Sequence, residues 1–222
     1  MQLSKEHTEN SMFVIILSCL MVACTQAGIT MYSPSMPYLV GVFHVGYSYI
    51  VYTLTAYLLG YAIATLFLGG ASDQIGRKKS YLIAITIFMV TSLSLAVINS
   101  IAGFIVLRFL QGLGGGGCAI IGRASVRDVC EGKKLVKAMS YISISFIVSM
   151  GVFQYLGGLV QAYSNYKIDF IFMFCFGLIG LISVIFGFKG KRKINRLSQF
   201  AELTNKFLSI LNGNNVFISS VV

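Results

Sequence analysis

Charge is what this sequence has least of. Only 11% of its 222 residues are Asp, Glu, Lys or Arg, where a soluble domain carries about 25%. Residues 10–72 contain none of the four. With 56% hydrophobic residues and a mean hydropathy of +0.81, a soluble globular domain is excluded and an integral membrane protein is indicated. Acids are scarcer than bases, seven against seventeen, giving a net charge of +10. The cations sit in gaps between apolar runs and form no stripe interleaved with polar readers, so a nucleic-acid partner is not indicated. Proline is almost absent, and both residues, Pro34 and Pro37, fall in one place.

Cys19, Cys24, Cys118, Cys130 and Cys175 form no C-x-x-C pair, which argues against a zinc site or a disulfide framework. No His, Cys or acid cluster offers a catalytic constellation, so neither an enzyme, a metal nor a cofactor is expected. Met21-Val-Ala-Cys24 has a loose likeness to a lipoprotein cleavage box, but Lys5 is outnumbered by Glu6 and Glu9 where a signal peptide needs a positive start. The chain from Met12 onward therefore reads as a retained helix.

What is present is a series of long apolar runs. The uncharged stretch up to Ser72 is too long for one span of about 20 residues and suits two. The prolines of Ser33-Pro34-Ser-Met-Pro37 are expected to end a first helix at about 12–32 and open a loop reaching to about Tyr47. A second helix to about Phe67 follows, then a short loop over 69–79. Further runs at 81–97, 101–121, 138–160 and 170–188 complete six spans, with a charged loop over 123–134 and Lys167 and Asp169 in the last turn.

The expected organisation is a cytoplasmic amino terminus (1–11), a six-helix bundle (12–188), a basic segment with an amphipathic helix on the membrane surface (189–213), and the first turns of a seventh span (214–222), where the chain looks cut short. On this topology fifteen cations lie on one face and only Lys167 on the other, with Arg108 inside a span. That asymmetry places both termini in the cytoplasm.

The stretch Gly69-Gly-Ala-Ser-Asp73-Gln-Ile-Gly76-Arg77-Lys78-Lys79 fits G-x-x-x-D-x-x-G-R-K. A tight cytoplasmic turn accounts for the glycines and cations but asks nothing of Asp73, whereas a carboxylate at a helix end can pair with a cation or a helix amino terminus. Arg108, about 10 Å from the end of its run at 1.5 Å per residue, admits two accounts: snorkelling to the outer surface, or a role in a central cavity. Gly112, Gly114, Gly115, Gly116 and Gly117 contain an accidental G-x-G-x-x-G with no strand before it, and read, like Gly157 and Gly158, as helix-packing positions.

The 69–79 stretch resembles the loop between the second and third helices of the major facilitator superfamily. Leu107-Arg108-Phe-Leu-Gln111-Gly112-Leu-Gly114 is similar to its fourth-helix motif, followed by Arg123-Ala-Ser-Val-Arg127-Asp128. With Met31-Tyr32-Ser-Pro34-Ser-Met-Pro37, these motifs together resemble the bicyclomycin-resistance (Bcr/CflA) drug exporters, over the first half of such a protein. The resemblance implies an all-α membrane fold of six helices in two three-helix repeats, and export of small drug-like molecules against a proton gradient through the inner membrane of a bacterium.

It further implies a cytoplasmic latch of Gly69, Asp73, Gly76, Arg77, Lys78, Arg127 and Asp128, in which Arg77 pairs with Asp128 and Asp73 faces the opposite bundle. Thr30, Tyr32, Tyr57, Arg108 and Gln111 are candidates for a substrate and proton path lined by the first, second, fourth and fifth helices. A headgroup-level or packing role suits Tyr57 equally well.

Two departures bear on coupling. Thr30 stands where relatives usually carry an acid, and all seven acids are expected outside the spans. The fifth helix lacks the exporter motif's prolines, with Met150 and Gln154 in that stretch. The second six-helix half would come from another polypeptide or a second copy; otherwise the chain is a non-transporting remnant or an assembly subunit. Lipid and a small molecule are the other expected partners.

Overall fold

The computed structural model describes residues 2–187, and every regular element in it is helical. The basic segment 189–213 and the apolar end 214–222 lie outside the described residues. The helices are α1 (Gln2–Gln26), α2 (Met36–Phe43), α3 (Tyr47–Ile75), α4 (Arg77–Val97), α5 (Ile101–Val129), α6 (Gly132–Tyr163) and α7 (Tyr166–Gly187). Six stretches are long and apolar enough to cross a membrane, the first being Ser11–Phe43.

Pro34 and Pro37 do not end the first span. After α1 the backbone passes through a π-helical turn (Ala27–Met31) and a 3₁₀ turn (Ser33–Ser35) into α2, and the loop shrinks to residues 44–46. Each proline occupies the first turn of a new helical segment, where its missing N–H has no intrahelical acceptor to lose. The segment therefore changes pitch at the prolines and continues.

The charged stretches are likewise helical. A 29-residue helix such as α3 or α5 is about 44 Å long against a hydrocarbon core of about 30 Å, so its last turns carry their charges into water without unwinding. The expected loop over 69–79 contracts to Gly76, whose φ of 101° favours glycine. The expected loop over 123–134 contracts to Cys130 and Glu131. Asp169 is not in a turn but in the first turn of α7, fully buried.

The packing shows the two three-helix repeats. The first span packs on α5, α6 and α7, α3 packs on α5, and α4 packs on α5 and α7. Exchanging the first span with α5, α3 with α6 and α4 with α7 maps the α3–α5 crossing onto that between α6 and the first span. Both crossings are made by the same device. A Cβ on Gly60 would overlap the Phe109 carbonyl oxygen, and one on Gly157 would overlap that of Met31. Small residues there let the backbones touch. By contrast α3 and α6 expose apolar side chains along their outer faces, including Leu66, Phe67, Ile147 and Tyr155, surfaces suited to lipid or to another bundle.

Candidate functional site

Arg108 is the largest fully buried side chain in the bundle. It sits on α5 and does not snorkel. Its Nη1 donates to the Gly28 carbonyl at 2.9 Å and to Gln111 Oε1 at 2.8 Å. Gln111 Nε2 donates in turn to Ser92 Oγ on α4 at 2.7 Å and lies 3.6 Å from Met173 Sδ on α7. The guanidinium carbon lies 3.7 Å from the centroid of the Tyr32 ring, with Tyr57 and Phe170 at 5.3 and 5.4 Å. Aromatic faces offset part of the cost of a desolvated cation, which at mid-membrane is about 2.5–3.5 kcal/mol on the mildest scale.

The irregular part of the first span makes this arrangement possible. Gly28 belongs to the π-helical turn and presents its carbonyl to Arg108. Tyr57 occupies the slot that Gly28 and Gly115 leave open, since a Cβ at either would meet its ring or hydroxyl. Its hydroxyl donates to the Thr25 carbonyl at 3.0 Å. Tyr57 is thus an interior residue and sits at no headgroup level. The Tyr32 hydroxyl shares a hydrogen bond of 2.7 Å with Thr53 Oγ1, and Thr30 turns its hydroxyl back to the Gln26 carbonyl at 2.9 Å. Tyr32, Tyr57, Arg108 and Gln111 therefore form one sealed interior network, while buried Thr30 bonds only within its own helix.

Most of the glycine positions do pack. Cβ atoms at Gly112, Gly114 and Gly116 would crowd the backbones of Tyr57, Phe88 and Tyr61, and one at Gly117 the side chains of Leu68 and Ala84. Gly158 departs from the expectation: nothing lies within 4 Å of its Cβ position, because the helix turns Gly157 and not its neighbour to the first span.

At the other end of the bundle, Arg77 Nε lies 2.8 Å from Asp128 Oδ2, so the expected pairing is present. The same guanidinium also contacts the Asp73 carboxylate and the Ser72 hydroxyl. Within this bundle Asp73 is therefore already engaged. Lys78 Nζ donates to the Ile185 carbonyl in the last turn of α7 at 2.8 Å, where a cation is favourable. Arg127 is exposed and stands outside the cluster, because Asp128 and not Arg127 faces α4. Gly69 makes only an ordinary approach to Ile120.

A cavity of about 690 Å³ opens between α1 and α6, lined by Met12, Ile16, Ile144, Val148, Tyr141 and Ser145 among others, with Lys134 and Lys137 at its charged end. Lys137 Nζ lies 6.0 Å from the Tyr141 centroid, and burial pushes the neighbouring Cys130 thiol up, partly offset by Lys134. None of the five nominated path residues lines this cavity. The signal that could have found it is the i, i+4 pair Tyr141 and Ser145, which with Lys134, Lys137 and Ala138 shares one face of α6.

Asp169 is the buried group missed outright. Its Oδ2 accepts from Ser35 Oγ at 2.7 Å, so an acid does lie within a span, contrary to expectation.

Six spans in two inverted repeats, closed around an arginine and joined at one end by a cation–carboxylate cluster, define a polytopic helical membrane bundle of the secondary-transporter type. The sequence profile of the Major Facilitator Superfamily matches residues 18–221, and the chain belongs to that family. It is 30% identical over 179 residues to a bicyclomycin resistance protein homolog of Haemophilus influenzae, covering 80% of this chain and 45% of that one. It is 30% identical over 202 residues to multidrug resistance protein MdtL of Salmonella heidelberg, covering 87% and 51%. The chain spans about half the length of the curated relatives it matches. Its fold is similar to about half of the human organic anion transporter MFSD10 (TETRAN), at a TM-score of 0.60 and 17% identity, over 81% of this chain and 48% of that one.

Proposed function

We propose that this bundle is the amino-terminal half of an alternating-access exporter of small drug-like molecules, driven by a proton gradient. It would sit in the inner membrane of a bacterium with both termini cytoplasmic. The observation that carries the reading is Arg108, a cation kept inside the bundle by a dedicated carbonyl, an amide and three aromatic faces. A bundle needing only stability would be served as well by apolar residues of similar volume. The names of the relatives supply the cargo class.

Alternating access by rocking needs a second six-helix bundle. The exposed apolar faces of α3 and α6 suit such a neighbour, whether further residues, another chain or a second copy provides it. The Arg77 cluster then serves as this half's share of a cytoplasmic latch, and the α1–α6 cavity as part of the cargo path. The clustering of Arg77, Lys78, Lys79, Arg123, Arg127, Lys133, Lys134 and Lys137 near the ends opposite Lys167 supports the orientation.

The test is drug accumulation, with and without a protonophore, in cells making this chain alone and together with a carboxy-terminal half from a relative. Lower accumulation that the protonophore abolishes is the expected result. Accumulation equal to that of empty-vector cells under both conditions would favour a non-transporting membrane protein instead.

A further inference from the structure

We propose that Asp169 is a proton-binding carboxylate of this bundle, facing Arg108 across the irregular segment of the first span. As a proton site it stands on geometry alone; its use as the coupling group rests on the transport reading above.

Asp169 is 0% exposed in a helix whose remaining residues are almost all apolar. One carboxyl oxygen takes the Ser35 hydroxyl, and the other, Oδ1, is buried with no hydrogen-bond partner. Arg108 is the complementary case, with Nε and Nη2 buried and unpartnered. The two groups interact electrostatically without touching, since both ion pairs found among the described residues belong to Arg77. A permanent structural ion pair would close that gap, because a buried charge left apart from its partner is strongly destabilising. A group that alternates between two states has no such requirement. With its proton on, Asp169 leaves no buried anion; with its proton off, it answers the charge of Arg108 through space.

The segment from Ala27 to Ser35 joins the two groups mechanically. It gives the Gly28 carbonyl to Arg108 at one end and the Ser35 hydroxyl to Asp169 at the other. Between them Tyr32 lies 3.7 Å from the guanidinium and 5.9 Å from the ring of Phe170, the residue after Asp169. Its π-helical and 3₁₀ turns are the least regular backbone in the spans, and such turns inside helices often mark functional hinges.

The other ionisable groups near this end are mostly tyrosines. The first span brings Tyr32, Tyr38 and His44, α3 brings Tyr47, Tyr49, Tyr52 and Tyr57, α5 brings Arg108, and α7 itself adds Tyr166 and Lys167; α4 has no ionisable residue after Tyr81, and α6 ends with the exposed Tyr155 and Tyr163. The proton passes from hydronium to a carboxylate oxygen, forming one O–H bond and leaving water. Release is the reverse, to water on the other face once the bundle has rocked.

Infrared difference spectroscopy tests this on the full chain in lipid nanodiscs, titrated in pH with carboxyl-labelled aspartate. Aspartate occurs only at positions 73, 128 and 169. The expected result is a label-sensitive carboxylic acid band that appears as pH falls, persists in the Asp73→Asn/Asp128→Asn double variant and is lost in Asp169→Asn. Arg108→Gln, which removes a cation facing the carboxylate, should raise the band's midpoint by about one pH unit, a tenfold change in proton affinity. Absence of the band in the double variant at every pH where the chain stays folded, or its retention in Asp169→Asn, overturns the proton site. An unmoved midpoint in Arg108→Gln overturns its link to Arg108. A band assigned to Asp169 in a chain that exports nothing supports the site while removing the transport reading, so the two fail separately.

Discussion

Two arginines of this bundle solve the same problem in opposite ways. Arg77, at the α3–α4 break, keeps 11% of its side chain exposed and meets two carboxylates and a hydroxyl. Arg108, on α5, has no exposure and meets a carbonyl, an amide and aromatic faces, with no carboxylate in ion-pairing reach. Near water the desolvation cost is small, so carboxylates can gather round a cation and hold helix ends together. Inside the bundle a tight ion pair would lock both partners, whereas neutral partners leave the cation's field available to a group that changes charge. Arg77 is a fastening by this comparison, and Arg108 has the setting that the proposed proton site would need in a sensor.

The largest expected effect lies with Arg108. In cells where the chain supports drug export, Arg108→Ala should bring accumulation to the empty-vector level, a loss of at least about tenfold, or about 1.4 kcal/mol in transition-state terms. Membrane abundance, read by immunoblot, should stay within about twofold, because Asp169 can take up a proton when the cation is gone and so leaves no uncompensated buried anion. Near-normal export by this variant would remove Arg108 from the mechanism and erase the contrast with Arg77.

Next in size is the backbone contact that brings the first span close to α6. A side chain at Gly157 has to displace the Met31 carbonyl, beside the tyrosine that stacks on Arg108. Gly157→Val should cost about 1–3 kcal/mol, the usual range for overpacking a filled site, and Gly60→Val should match it at the equivalent crossing. Gly158→Val should stay within about 0.5 kcal/mol, as surface changes do. Thermal unfolding in detergent checks all three, and equal losses at positions 157 and 158 would contradict the repeat geometry.

What could be read in advance follows a physical division. The six spans and the Arg77–Asp128 pair were legible, because hydropathy and charge placement are local signals and both ends of that pair sit at helix ends on one side of the bundle. Glycine packing was legible by residue type, but whether Gly157 or Gly158 meets the first span depends on helix phase, which spacing alone does not set. Pro34 and Pro37 misled because proline ends a helix from inside and begins one at the first turn, and the sequence does not say which turn is first. Asp169 was hidden by Lys167, two residues away: two charges beside a run's end look like a turn in water. Only the packing of the first span, which puts Ser35 against it, shows the carboxylate to be interior.

The smallest effect belongs to the fastening, and it is the one that separates a structural ion pair from a latch. In a double-mutant cycle on Arg77→Gln and Asp128→Asn, the coupling in unfolding free energy should be about 0.2–1 kcal/mol, since both side chains retain some exposure. It should shrink as salt rises past physiological strength, where the screening length falls below about 8 Å. Asp73→Asn should cost less than Asp128→Asn. Asp73 lies four residues before Arg77, across the Gly76 break where α3 and α4 are already joined covalently, whereas Asp128 ties α4 to α5, to which Arg77 has no such short connection. If Asp73→Asn nevertheless impairs export more than Asp128→Asn does, with its small stability cost unchanged, then the carboxylate acts on something beyond this bundle. The cation it holds here would in that case be a resting partner, exchanged for another when the halves move.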